Sequence, residues 1–262
     1  MFKIESKWVA PQWETALNAA DLLDIQSVAN SEFDWFEAPN KRRGGWSGVT
    51  RIVLNPEAEP KDQKAVFLKI QQNHFYRAPA KLFRKQLTFE REFEVLQQLD
   101  SVSDAIPEVV LYAKWRSGED QGALLVTKAL HGWLPLPDWL YGKNGLTAPD
   151  EATLLKALEA IARGAREINQ AGWVHLCYSA KHLFVKPNED GSFRSCVIDM
   201  EKSRKHLSAN YRTMKDCSHF MRHTPKLTDA HKLHFLKSYF QTDSFTPAQK
   251  ALIRKMRGAP KV

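Results

Sequence analysis

The feature that most constrains this chain is a change of hydrophobic rhythm at Leu130-His131-Gly132. Before it, apolar residues come in short runs rich in β-branched side chains: Val49-Thr50-Arg51-Ile52-Val53-Leu54, Ala65-Val66-Phe67-Leu68-Lys69-Ile70, and the stretches 108–113 and 123–127. Such runs suit a pleated surface, and the turn-forming stretches 55–60 and Ser117-Gly118-Glu119-Asp120 separate them. Between them Leu87, Phe89, Phe93, Leu96 and Leu99 recur at three- and four-residue steps, which predicts one helix over 85–99. Beyond residue 131 an irregular segment with Pro135, Pro137, Gly142 and Gly145 leads into a long helix over 149–170, ended by Gly172. Two short strands, 183–185 and 196–198, follow around a turn at Pro187-Asn188-Glu189-Asp190-Gly191, and the pattern is helical from Tyr211 on. The reading is an α+β fold in which residues 41–130 form a strand-rich part with one helix and residues 131–262 a mainly helical part. Residues 1–40, with Trp8, Trp13, Trp35 and Phe36, are set apart as an N-terminal extension.

Bulk properties remove several classes. With 43% hydrophobic and 26% charged residues the chain is expected to fold rather than stay disordered. The start, Met1-Phe2-Lys3-Ile4-Glu5-Ser6-Lys7, has no apolar stretch of the signal-peptide kind, and no window approaches the ~18 apolar residues of a membrane span, so a cytoplasmic protein is expected. Cys177, Cys196 and Cys217 are odd in number and without a CxxC pair, which points to reduced thiols. A formal charge of +8 and a pI near 9.3 attract polyanions, whether nucleic acid, anionic membrane or phosphorylated glycolipid. Basic residues cluster at 41–43, 77–85, 202–205 and 254–257; no nucleic-acid-binding motif accompanies them, and that class is set aside.

Individual residues carry more chemistry. Gly44, Gly45 and Gly48, around Trp46 and Ser47, would let backbone amides approach a phosphate, or would simply serve a hairpin turn. Lys69 ends an apolar run where an unpaired ammonium is costly to bury, unless it points outward. Glu92 sits beside the apolar stripe of the helix that follows, with Glu90 and Glu94 as alternatives for an ion pair. Asp199 follows Val197-Ile198 at a strand end, where it is either a metal ligand or an exposed turn residue. His219, His223, His231 and His234 have helical spacings but no HExxH or cysteine pair, which favours surface or capping roles over a metal site. A strand-rich half, a short linker and a helical half with a polar loop and a small hairpin together resemble the layout of a protein kinase.

The loop Gly172-Trp173-Val174-His175-Leu176-Cys177-Tyr178-Ser179-Ala180-Lys181-His182-Leu183-Phe184-Val185 and the segment Asp199-Met200-Glu201-Lys202 make the resemblance specific. They resemble the lipopolysaccharide kinase (Kdo/WaaP) family, including its InaA-type members, whose catalytic loops start with histidine, contain an aromatic, and carry a second histidine where most kinases have asparagine. The resemblance spans roughly residues 41–240. It implies a protein-kinase-like fold using ATP and Mg²⁺, with Gly44, Gly45 and Gly48 over the phosphates, Lys69 held by Glu92, and the backbone of 124–130 at the adenine edge. It further implies Asp199 and His182 as metal ligands, His175, Cys177 and Asp199 at catalytic positions, and Asp216 as a support for the loop. Counted from His175, the base position of the usual His-Arg-Asp loop is Cys177. A thiol with an ordinary pKa of ~8.5 is mostly protonated at neutral pH and is a poor substitute for a carboxylate. Two functions follow. One is a kinase phosphorylating a sugar of the anionic lipopolysaccharide core, in peripheral contact with the inner membrane. The other is a catalytically weak or inactive kinase-like protein acting by interaction, for example under stress.

Overall fold

The computed structural model describes residues 1–262 except 43, 60–61 and 79–83, and the side chains at 77, 78 and 84 are likewise outside the description. Parts of the basic runs expected at 41–43 and 77–85 therefore lie outside the described residues. The chain forms two compact units, Met1–Gln97 with Pro107–His131 and Gln98–Ile106 with Gly132–Val262.

The first unit contains β1 (Phe2–Val9), α1 (Glu14–Ala19), α2 (Ile25–Asn30), β2 (Asn40–Arg42), β3 (Gly45–Val53), β4 (Ala65–Gln72), β5 (Phe75–Ala78), β6 (Arg84–Leu87), α3 (Thr88–Leu99), β7 (Val109–Ser117) and β8 (Asp120–Lys128). Its main sheet has the order β1-β7-β8-β4-β3-β2 with every pair antiparallel. The alternation read from the sequence sets the faces: Val66, Leu68 and Ile70 of β4 are buried in a core with Val110, Leu111, Leu124 and Val126. The turn expected at 117–120 closes a two-residue hairpin between β7 and β8, with Ser117 paired to Asp120 and Gly118 at φ +61°. The predicted helix over 85–99 begins three residues late, because Lys85 to Leu87 belong to β6 and Leu87 pairs with Phe75 of β5. Residues 1–40 are not a separate folding unit. β1 pairs with β7 along its length, and Leu17, Ile25 and Val28 of α1 and α2 are buried in the same core.

The second unit contains β9 (Leu134–Pro135), α4 (Leu136–Tyr141), α5 (Glu151–Gln170), β10 (Trp173–Val174), β11 (Leu183–Pro187), β12 (Phe193–Val197), β13 (Arg204–Lys205), α6 (Ala209–Arg222), α7 (Asp229–Phe240) and α8 (Pro247–Ile253). Asp150 caps α5 by accepting from the Thr153 amide, and Leu158, Ile161, Ala165 and Ile168 form its buried stripe. Gly164 in mid-helix would cost ~1 kcal/mol relative to alanine in an isolated helix. Here a Cβ would stand 2.7 Å from that of Ala105 and 2.9 Å from Ser195 Oγ, so the glycine is what lets β12 and residues 98–106 pack against α5. The 183–198 hairpin forms as expected and holds the polar loop on one side and Asp199 on the other.

Candidate functional site

In the first unit, Lys69 of β4 lies opposite Val49 of β3 and Leu125 of β8, on the face opposite Leu68 and Ile70. Its Nζ is 2.7 Å from Glu92 Oε1 on α3, and the Glu92 side chain is 1% exposed. The other two candidates for this pairing are engaged elsewhere, Glu90 with Lys114 at 3.3 Å and Glu94 as acceptor from Gln86 Nε2 at 3.0 Å. Breaking a buried pair by removing one partner costs ~3–5 kcal/mol, so Glu92 and the lysine position each other firmly. The Phe89 ring lies 6.0 Å from the ammonium.

The three glycines separate by environment. Gly44 sits at the β2–β3 turn with φ +79° and open space where a Cβ would be. Gly45 runs against the backbone of Asn73, and Gly48 against the Trp35 ring, 2.5 Å from where its Cβ would stand. In the 124–130 stretch the Lys128 and Ala129 amides are donated to Glu108 O and Ala65 O, each at 2.9 Å.

In the second unit the loop after β10 is organised by Asp216 of α6, a fully buried carboxylate. Its Oδ2 accepts from the His175 amide at 3.0 Å and Asn169 Nδ2 at 2.8 Å, and its Oδ1 from the Leu176 amide at 2.9 Å. Those bonds hold Leu176 at φ +66°, a left-handed conformation uncommon for leucine. Burial pushes the Asp216 pKa up to about 6 against these three bonds, which still leaves it ionised at neutral pH. Asn169, at the end of α5, was not foreseen; a lone polar residue in a helical stripe carries no sign of a partner 47 residues away.

His175 is fully buried with both nitrogens committed. Nδ1 accepts from the Cys177 amide at 3.1 Å, so the proton is on Nε2, which donates to Ile198 O at 3.1 Å. Burial lowers its pKa to about 4. The ring is a neutral strut tying the loop to the Asp199 segment. Cys177, half-buried, has its thiol pKa raised above the ordinary value by burial, with Lys202 opposing, and is a neutral thiol at pH 7.

His182 donates Nδ1–H to Cys177 O at 2.8 Å and presents Nε2 3.1 Å from Asp199 Oδ2. Burial lowers the His182 pKa, and a neutral ring then turns a nitrogen lone pair toward a carboxylate oxygen. A histidine fixed by a backbone carbonyl through one nitrogen, with the other beside a carboxylate, is a fitting pair of ligands for a divalent cation. Asp199 has φ +67°, which turns it out of β12 at the start of the 3-10 turn Met200–Lys202. Among the described residues no set of three His, Cys, Asp or Glu could hold a metal, so any ion here would need further oxygens from phosphate or water. Of the four histidines at helical spacings, His231 completes the capping box of α7 and reaches Glu151, His234 pairs with Glu159, and the His219 and His223 rings lie tilted to one another with centroids 4.4 Å apart. No described helix is long and apolar enough to cross a membrane.

Comparison with known proteins bears on this arrangement. A family model described as "Lipopolysaccharide kinase (Kdo/WaaP) family" matches residues 26–239. Protein InaA of Escherichia coli (strain K12) is 27% identical over 177 residues, covering 68% of this chain and 77% of that protein. The solved structure "WaaP in complex with acyl carrier protein" superposes with a TM-score of 0.60 at 20% identity, over 95% of this chain and 92% of that one, a likeness of fold.

Proposed function

The chain belongs to the lipopolysaccharide kinase (Kdo/WaaP) family, and we propose that it is an ATP- and Mg²⁺-dependent phosphotransferase acting on a sugar hydroxyl of the lipopolysaccharide core. The family implies phosphoryl transfer with ATP as donor; the acceptor, the metal and the residue roles are our reading. The observation that carries it is the 2.7 Å pair of Lys69 with the buried Glu92. A carboxylate removed from water and paired with this lysine makes sense when the ammonium must stay aimed at a phosphate.

In this reading Lys69 takes the α- and β-phosphates and Gly44 gives an unobstructed backbone amide over them. Gly45 and Gly48 keep that turn close to Asn73 and Trp35. Asp199 and His182 would hold Mg²⁺, which when bound neutralises charge on the phosphates. Asp216, with Asn169, fixes the loop backbone, and His175 fixes the loop to the Asp199 segment. Cys177 occupies the base position as a neutral thiol that cannot accept the acceptor proton as an aspartate would. Catalysis then rests on positioning and charge stabilisation, which dominate in a loose phosphoryl-transfer transition state. The use of ATP puts the reaction at the cytoplasmic face of the inner membrane, where exposed Lys41 and Arg42 and, on the second unit, Arg204 and Lys205 suit an anionic glycolipid.

Cys177 favours one alternative, a kinase-like protein of little or no activity that works by interaction. Mg-ATP thermal shift and ATP turnover on wild type, Lys69→Ala and Asp199→Ala decide between them. The kinase predicts stabilisation by Mg-ATP and a turnover lost by at least ~100-fold in both variants. Well-folded wild type with no Mg-ATP stabilisation leaves the interaction protein.

A further inference from the structure

Leu207 is 102% exposed, against 67% for Phe36 and 50% for Val102, yet its backbone is held firmly. The buried Arg212 donates from Nη1 to the carbonyl oxygens of His206 and Leu207, the latter at 3.1 Å, and from Nε to Asn169 O at 2.6 Å. Ser208 caps α6 immediately after the leucine. An apolar residue just before an N-cap often folds back on another at the fourth helical position. Here that position is Arg212, committed to the backbone, so the leucine has no such partner and a fixed loop presents it to solvent. The surroundings are basic and tied together. Arg204 donates to Tyr211 Oη at 2.7 Å, the Lys215 ammonium lies 5.2 Å from the centre of the same ring, His206 stacks on it at 3.9 Å, and Lys205 stands 5.4 Å from the Trp173 ring. Exposed Arg222 follows Lys215 two turns later on the same face of α6. From Lys202 to Thr228 the one acidic residue is Asp216, which is fully buried, so no carboxylate of this stretch offsets the charge at the surface.

A single protruding leucine among cations offers a protein partner little apolar area, where a stable interface buries about 800 Å² on each side. A bilayer demands no matching shape: its interface takes an apolar side chain to a depth of ~5–10 Å while anionic headgroups meet the cations around it. We propose that the 204–222 face of the second unit docks on an anionic lipid surface, with Leu207 entering the interface and Arg204, Lys205, Lys215 and Arg222 on the headgroups. Docking rests on the phosphotransferase reading for the glycolipid it would serve, but needs neither nucleotide nor transfer.

The test is co-sedimentation of the full chain, without nucleotide, with vesicles of phosphatidylcholine alone or mixed with phosphatidylglycerol. Wild type is expected to bind the mixed vesicles at least about tenfold more tightly than the neutral ones. Leu207→Ser is expected to weaken that binding about fivefold or more with the melting temperature unchanged, because the side chain is fully exposed, and Leu207→Phe to keep it. Lys205→Gln with Lys215→Gln is expected to weaken it at least about tenfold. Lys3→Gln with Lys64→Gln, an equal loss of charge at exposed residues of the first unit, is expected to weaken it less than about threefold. Unchanged binding by Leu207→Ser, or equal losses in the two double variants, would reduce the attraction to net charge and overturn the docking face. Equal binding to neutral vesicles would overturn the role of the cations, and no binding of folded protein to the mixed vesicles would overturn the docking and leave the face to an acidic protein. Because no nucleotide is present, these failures leave the phosphotransferase reading to its Mg-ATP test, and failure of Mg-ATP binding leaves the vesicle result standing.

Discussion

At the scale of single residues, the loop after β10 is held by two buried ionisable groups whose pH dependences oppose each other. His175 stays neutral in the folded protein down to about pH 4, whereas in the unfolded chain it takes a proton near 6.5. As pH falls from 6.5 to 4 the unfolded state therefore binds more protons and stability is lost, by ~3 kcal/mol over the interval. Asp216 runs the other way: folded, it takes its proton near 6, and unfolded, only near 3.8, so the folded state gains stability as pH falls through that window. The two nearly cancel, and His182 and His219, both with lowered pKa, add to the acid loss. Asp216→Asn should expose the imbalance. In urea titrations from pH 7 to 4.5 the variant is expected to lose ~2 kcal/mol more than wild type over that range, beyond the constant deficit from its weakened bonds to the His175 and Leu176 amides. Parallel pH profiles would mean that Asp216 does not change protonation in that window.

At the scale of elements, β3 shows how one residue can answer two demands. Phe33, Trp35 and Trp46 pack edge to face, with centroids 5.4 and 5.8 Å apart, and the Trp35 ring lies where a Cβ on Gly48 would stand. Gly48→Ala is expected to destabilise the protein by ~1–3 kcal/mol through overpacking, and by under ~1 kcal/mol when Trp35→Ala is already present. If Gly48 is small for Trp35 and Gly44 is the phosphate position, the double variant keeps Mg-ATP stabilisation; loss of nucleotide binding at restored stability would return Gly48 to the phosphates. Elements whose pattern is local were legible in the sequence: the strands around Lys69, the stripe of α3, the 183–198 hairpin and the length of α5. β1 was not, because its register shifts between Ile4 and Ser6 and the bulge breaks the alternation a strand is read by. β5 and β6 were hidden because Leu87 fits a helical stripe as well as it fits a pair with Phe75. Lys69 and Glu92 could be matched from the family resemblance and from the helical stripe beside which Glu92 sits, although β5 and β6 stand between their elements. The Asn169–Asp216 bond could be seen only once α5 and α6 were packed, because neither helix's own pattern encodes a partner on the other.

At the scale of the whole molecule, the family match begins at residue 26, so β1 and α1 lie outside it, yet the first unit is built upon them. β7 is buried over most of its length between β8 on one side and β1 on the other. Phe2 stacks on Trp115 at 5.9 Å, Trp8 meets Phe93 at 5.7 Å, and Phe93 in turn stacks flat on Tyr112 at 4.1 Å. Glu5 reaches Arg116 at 3.0 Å and Lys114 at 3.7 Å, but such partly exposed pairs contribute ~0–1 kcal/mol, and the aromatic contacts and backbone ladder matter more. Without β1, the strand left at the edge would be β7, whose Val109-Val110-Leu111-Tyr112-Ala113 run is apolar and whose backbone groups would lack partners. An exposed edge of that kind pairs with other chains. A chain lacking residues 2–9 is therefore expected to melt several degrees lower in scanning calorimetry and to self-associate as its concentration is raised in light scattering. The loss should fall on the first unit, so Mg-ATP stabilisation through Lys69 weakens with it. Unchanged melting without self-association would mean that the first unit closes its edge by other means and that β1 is an addition to a sheet already complete.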